Sequence, residues 1–245
     1  MGAKVSTVAP HNPAMGKERI QGIYLLMDSA TLSPIMLMDA HALTALRTPA
    51  VSAAVADYLA PLHVEHVLVF GSGTQAWGHV EAMRLIRSVG RVTIVARNLE
   101  RGAAMVARLA ASGLTARLGA ASDVRDAQVI VCATTTRSPL FDGNLAPDDS
   151  LTVAVGSHEP DARELDSTLI ARAQLVVEDS TVALREAGDL IIPLRDGVID
   201  AVSLVSMADI INGVTPVDRR RPRVFKSSGM PWEDLVVATE VFRAG

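Results

Sequence analysis

The chain has 245 residues, 49% hydrophobic and 20% charged, which excludes wholesale disorder because there is ample apolar surface to offset the entropy of ordering. At about 150 residues per domain the length allows one or two domains. A net charge of -4 argues against a nucleic-acid or anionic-membrane binder, and a single cysteine excludes an internal disulfide and a zinc–thiolate cluster.

Taken in chain order, residues 23–27 and 35–39 read as a β-hairpin joined by 29–34, followed by a long alanine-rich helix over 43–59 with Thr44 as its cap. Residues 67–70 are a short apolar strand. The turn Gly71-Ser72-Gly73-Thr74-Gln75-Ala76 follows, then an amphipathic helix over 77–88 closed by Gly90, and a strand over 91–96. That is one strand–glycine turn–helix–strand unit. Further helices are predicted at 100–112 (ending at Gly113), 167–172 and 180–187, and strands at 115–118, 128–133, 151–155 and 175–178. Residues 219–223, four of them arginine, read as a solvated loop, and Pro231 opens a last helix with Glu233 and Asp234 in its first turn. Alternating strands and helices predict an α/β fold with a doubly wound, mainly parallel Rossmann-like sheet. The expected domains are a partial substrate and dimerisation domain over 1–55, a nucleotide-binding domain over 56–205, and a C-terminal return over 206–245.

The glycine turn has a physical job. Gly71 permits the tight turn, Gly73 lets the backbone approach a pyrophosphate, and Ala76 keeps the helix close to its strand. No carboxylate ends the second strand, where Arg97 and Asn98 stand. The arginine fork suits a 2′-phosphate, so the reading favours NADP, while Glu100 leaves NAD open. Thr134, Thr135 and Thr136 follow a strand at its carboxyl end, where they either line the cofactor channel or form a polar turn. Cys132, inside that strand, reads as a small buried hydrophobe. No apolar run reaches a membrane-spanning length, the first residues lack a signal-peptide pattern, and a cytoplasmic setting is expected.

Residues 2–12, 25–53, 70–83, 154–166, 185–190 and 225–229 together resemble the ornithine cyclodeaminase/mu-crystallin family, in family order across nearly the whole chain. The resemblance implies a Rossmann-like domain with a second domain that binds a small imino- or amino-acid substrate and forms a homodimer. It also implies hydride exchange between a nicotinamide and the α-carbon. By resemblance Lys4 and Arg47 hold the substrate α-carboxylate, and Ser228 and Gly229 form a loop near the nicotinamide. Family members carry, ahead of the stretch matched by Gly2, an opening segment with a further substrate arginine. His158 falls where the lyases of the family place a catalytic aspartate; it favours a reductase and is a candidate proton donor beside Lys4, with an ordinary loop histidine as the alternative. Asp161 and Glu164 read as first-turn helix carboxylates. The expected activity is NADPH-dependent reduction of Δ1-pyrroline-2-carboxylate or Δ1-piperideine-2-carboxylate to L-proline or L-pipecolate. The alternatives are an NAD-dependent ornithine cyclodeaminase, an alanine-dehydrogenase-like enzyme, and a non-catalytic NADP(H)-binding protein or truncated inactive copy.

Overall fold

A computed structural model describes residues 1–9, 11–18 and 20–245, with no side-chain description at Pro13. The chain forms two compact units, residues 1–51 with 229–245 and residues 52–228. Residues 206–228, assigned from sequence to the terminal return, stay with the larger unit.

The smaller unit is a three-stranded antiparallel sheet, β1 (Gly2–Val8), β2 (Ile20–Met27) and β3 (Pro34–Asp39), with the start of α1 (Ala40–Leu59) and the last helix. Alternation in β2 sends Tyr24 and Leu26 inward, where they pack with Leu43, Ala238 and the partly buried Met36 and Met38. The hairpin agrees with the sequence reading, but β1 adds a strand in front of it, pairing Lys4 with Tyr24. The helix also starts earlier than predicted. Asp39 Oδ1 accepts the Ala42 N–H at 2.8 Å, whereas the Thr44 hydroxyl donates to the Ala40 carbonyl inside the helix and caps nothing.

The larger unit is built on eight parallel strands: β4 (Val64–Phe70), β5 (Val89–Val95), β6 (Thr115–Leu118), β7 (Val129–Cys132), β8 (Leu151–Ala154), β9 (Gln174–Val177), β10 (Leu204–Ser206) and β11 (Arg223–Lys226). Their order across the sheet is β10-β9-β11-β8-β7-β4-β5-β6. From β4 the chain runs outward through α2 (Thr74–Ile86), β5, α3 (Leu99–Ala111) and β6, then crosses to β7 on the other side of β4. β7, β8 and β9 are mainly apolar and buried throughout, as strands covered on both faces must be. Leu68, Phe70, Ile130, Leu165, Leu169, Leu175 and Val224 share one core. The remaining helices are α4 (Ser167–Arg172), α5 (Ser180–Glu186), α6 (Gly188–Arg195), α7 (Met207–Ile211) and α8 (Pro231–Ala244), the last belonging to the smaller unit. Among the described residues no helix is long and apolar enough to cross a membrane.

Two sequence expectations are corrected here. Gly90 does not close α2, which stops at Ile86; Gly90 lies inside β5, where a Cβ would collide with Glu65. Arg223 is no loop residue. It opens β11 between β8 and β9, wholly buried, because its Nε donates to the Leu59 carbonyl at 3.0 Å and its guanidinium meets Asp149 at 2.6 Å. Arg219, Arg220 and Arg221 are exposed, as predicted.

Candidate functional site

The glycine turn leaves the carboxyl end of β4, the strand at which the sheet order reverses between β5 and β7; ligands of open α/β sheets bind in the crevice at such a point. Gly71 has φ +120°, its N–H donates to the Val95 carbonyl at 2.9 Å, and a Cβ there would stand 2.5 Å from the Ala133 carbonyl oxygen. Only glycine fits that backbone. Gly73 is different: a Cβ on it meets nothing within 4 Å, so local packing does not demand a glycine. It caps α2 without a side-chain hydrogen bond, and the first turn of α2 holds no acidic residue. A helix start with an open approach and no competing carboxylate suits a phosphate group. Ala76 is fully buried, 3.7 Å from where a Gly71 Cβ would be, and brings the helix onto the strand. Ser72 and Gln75 are half-buried and Thr74 is exposed. The residues present therefore fit a dinucleotide.

Arg97 is exposed just past β5. Asn98 is used locally: its Oδ1 accepts the Arg101 N–H at 2.8 Å and caps α3. Thr134 donates both its N–H and its hydroxyl to Glu164 Oε1, at 2.8 and 2.7 Å, while Thr135 is exposed. The Ser228 N–H and the Ser227 hydroxyl donate to the two oxygens of Glu178, each at 2.6 Å. His158 is exposed in the loop after β8.

Glu164 is thus not a first-turn helix carboxylate but a fully buried one. Its second oxygen accepts the Gly156 N–H at 2.7 Å, so it ties the loop after β7 to the loop after β8. Burial pushes its carboxyl above the usual range, opposed by Lys226 and by the bonds from Thr134. Asp189 Oδ1 accepts the N–H groups of Glu164 and Leu165 at 2.7 and 2.8 Å, and Lys226 donates to the carbonyls of Ser157, Ser227 and Ala154. Sequence reasoning did not find this network; its one trace was that 154–166, 185–190 and 225–229 all lie in the family-like stretches. Asp161 is exposed and pairs with Arg137 at 2.7 Å. Burial raises the Cys132 thiol well above its ordinary value, in keeping with a packing role.

In the smaller unit Lys4 and Arg47 come together. Lys4 Nζ donates to Thr44 Oγ1 at 2.7 Å and to the Asp234 carboxylate at 3.0 and 3.2 Å. Arg47 Nη1 donates to Glu233 Oε2 at 2.9 Å, and its Nε lies 3.4 Å from Asp234 Oδ1. Gly229, with φ +78°, leaves room for the guanidinium, since a Cβ would stand 2.5 Å from it. Burial and the Asp234 charge raise the Tyr24 phenol above its ordinary pKa. Lys4, Tyr24, Trp232 and Asp234 line a cavity of about 250 Å³. A larger cavity, about 520 Å³, involves Pro61, His63, Gln128 and Asp149, just ahead of β4, β7 and β8 and so at the opposite end of the strands from Gly71.

A doubly wound sheet with this glycine turn defines a class, the dinucleotide-binding α/β proteins. The chain belongs to the ornithine cyclodeaminase/mu-crystallin family, whose model matches residues 1–244. It is 33% identical over 249 residues to a Delta(1)-pyrroline-2-carboxylate reductase of Bacillus cereus, covering 99% of this chain and 76% of that protein. The structure of the Thermococcus litoralis Delta(1)-pyrroline-2-carboxylate reductase in complex with NADH and L-proline superposes with a TM-score of 0.94 at 29% identity, over 99% of this chain and 77% of that one. An archaeal alanine dehydrogenase dimer with bound NAD gives a TM-score of 0.93 at 26% identity, over 99% and 76%. The chain is an NAD(P)-dependent oxidoreductase of the kind that acts on carbon–nitrogen bonds.

Proposed function

We propose that this enzyme reduces cyclic ketimine carboxylates, Δ1-pyrroline-2-carboxylate or Δ1-piperideine-2-carboxylate, to L-proline or L-pipecolate with NADPH. The observation that carries the reading is the convergence of Lys4 and Arg47 on one carboxylate, Asp234. A guanidinium and an ammonium around one point are what an α-carboxylate requires, the first for two-pronged orientation and the second as a compact charge. The names of the Bacillus and Thermococcus relatives support the substrate class.

Bound at residues 71–76, the reduced dinucleotide supplies a hydride. The residues of this chain do the rest. Gly71, Gly73 and Ala76 admit the pyrophosphate to the start of α2. The network of Glu164, Asp189 and Lys226 holds Thr134 beside the crevice. Arg47 and Lys4 fix the carboxylate and so the ring, and orientation of that kind supplies much of an enzyme's rate. Lys4, His158 or water delivers the proton. The exposed guanidinium of Arg97 at a strand tip without a carboxylate supports NADPH over NADH. We place dimerisation on the smaller unit.

The test follows NADPH absorbance at 340 nm with each ketimine. Oxidation proportional to ring reduction is expected. Failure on both ketimines, with turnover of pyruvate and ammonia instead, would replace this reading with an alanine-dehydrogenase-type activity. Light scattering on the eluting protein checks the dimer.

A further inference from the structure

The charge balance of the Lys4–Arg47 cluster goes one step beyond that reading, and rests on it. A carboxylate receptor made of cations alone would favour any anion. Here each cation already has a carboxylate: Asp234 Oδ1 lies 3.0 Å from Lys4 and 3.4 Å from Arg47, and Glu233 Oε2 lies 2.9 Å from Arg47. Among these four side chains two cations and two carboxylates cancel. The side chains of Glu233 and Asp234 are 0% and 8% exposed, those of Arg47 and Lys4 13% and 23%, so little water screens them. The neighbouring titratable group, Tyr24, is a neutral phenol and adds no charge. A monoanion entering a neutral, largely buried cluster brings an unbalanced charge; a zwitterion does not.

In a cyclic imino or amino acid the nitrogen and the carboxylate are bonded to the same α-carbon. A carboxylate held by Arg47 and Lys4 therefore keeps the nitrogen close to the carboxylate those cations already share. We infer that Asp234 is the counter-ion of the substrate nitrogen, and that the site takes the ring as a zwitterion, its α-carboxylate on Arg47 and Lys4 and its N–H⁺ toward Asp234. The hydride then arrives with its electron pair at the C=N carbon and the π pair moves onto a nitrogen that already carries its proton. NAD(P)H leaves as NAD(P)⁺, and the neutral amine takes one proton from water to become the product zwitterion. The site accordingly selects protonated ring nitrogens over 2-oxo acids and over rings with oxygen in place of nitrogen.

Titration calorimetry near pH 7.5, with oxidised dinucleotide present, compares L-proline with tetrahydrofuran-2-carboxylate, the same ring without the charged nitrogen. The wild type is expected to bind L-proline at least tenfold more tightly. Asp234→Asn is expected to lose that preference and to bind the oxygen ring more tightly than the wild type does, a gain that a collapsed site would not produce; Asp234→Glu keeps the preference. Equal binding of the two ligands by the wild type, or a preference retained in Asp234→Asn, overturns the inference. If the ketimines are reduced but the preference is absent, only the role of Asp234 falls. If neither ligand binds, the carboxylate clamp falls with it. The wild-type comparison decides even where Asp234→Asn does not fold.

Discussion

Lys226 and Asp189 are both wholly removed from solvent, with the ammonium 3.6 Å from Asp189 Oδ2. That oxygen makes no hydrogen bond among the described residues, so the nearby charge is what compensates it. Around the pair, the backbone of Ser157, Ser227 and Ala154 accepts from the ammonium, and Asp189 Oδ1 accepts from Glu164 and Leu165. Breaking a buried pair from one side leaves an uncompensated charge. Lys226→Met should therefore cost about 3–5 kcal/mol of unfolding free energy, and the double variant Lys226→Met/Asp189→Asn should recover part of that loss. Urea unfolding of the four proteins in the cycle measures it; additive losses would show that the two groups do not interact.

The glycines of the 71–76 turn, where we propose the dinucleotide binds, are separable. Gly71 has a left-handed backbone and no room for a Cβ against Ala133, so Gly71→Ala should destabilise the fold by about 1–3 kcal/mol as well as weaken dinucleotide binding. Gly73 has φ -96° and open space around it, so Gly73→Ala should leave the melting temperature within about 2 °C of wild type. Its added methyl would meet only a bound phosphate. NADPH affinity, read by fluorescence titration, should still fall at least tenfold. A Gly73→Ala protein that binds NADPH normally would remove the pyrophosphate from this turn.

What was legible in the sequence follows what each element is buried against. Residues 67–70 of β4, and β7, β8 and β9, are mainly apolar and buried throughout, and their own residues announce them. β11 begins and ends with charged residues that are silenced by distant partners, Leu59 and Asp149 for Arg223 and Ala154 and Ser157 for Lys226, so local pattern puts Arg223 in a loop and predicts no strand after it. β1 is mostly exposed and takes its pairing from β2, about twenty residues on. The glycine turn was legible because its geometry is local. Glu164 was not, since its bonds go to Thr134 and Gly156, which only the sheet brings near it. Lys4 and Arg47 were reachable only through family resemblance. Their partners Glu233 and Asp234 looked like ordinary first-turn carboxylates, because helix starts favour that residue type in any case.

His79 offers a pH test of the larger unit. It is fully buried in α2, with Nδ1 2.8 Å from the Gln75 carbonyl and Nε2 2.9 Å from the Ser52 hydroxyl, and burial lowers its pKa from 6.5 to about 4. Between those values the unfolded chain binds a proton that the folded one refuses, so stability is full above pH 6.5 and declines as pH falls toward 4. Over the window the loss attributable to this ring is about 3 kcal/mol. Urea unfolding at half-unit pH steps should show that slope in the wild type and a shallower one in His79→Gln. Equal slopes would place the acid sensitivity elsewhere.

Arg97 decides the nucleotide preference we propose. The tip of β5 carries no carboxylate to meet a ribose 2′-hydroxyl, Asn98 is spent on capping α3, and the Arg97 guanidinium is exposed there. A 2′-phosphate adds charge that a planar guanidinium can grip with two parallel hydrogen bonds, and a 2′-hydroxyl adds none. Arg97→Ala should therefore raise the KM for NADPH at least tenfold while changing the KM for NADH less than threefold, with kcat for both nearly unchanged because the contact lies far from the transferred hydride. Salt should mimic the variant, since the interaction is exposed and screened: raising ionic strength from about 0.05 to 0.5 M should weaken NADPH selectively in the wild type and leave Arg97→Ala indifferent. An Arg97→Ala enzyme with an unaltered NADPH-to-NADH ratio would move the preference away from this residue and, with Glu100 three positions on as the nearest carboxylate, would favour NADH as the physiological reductant.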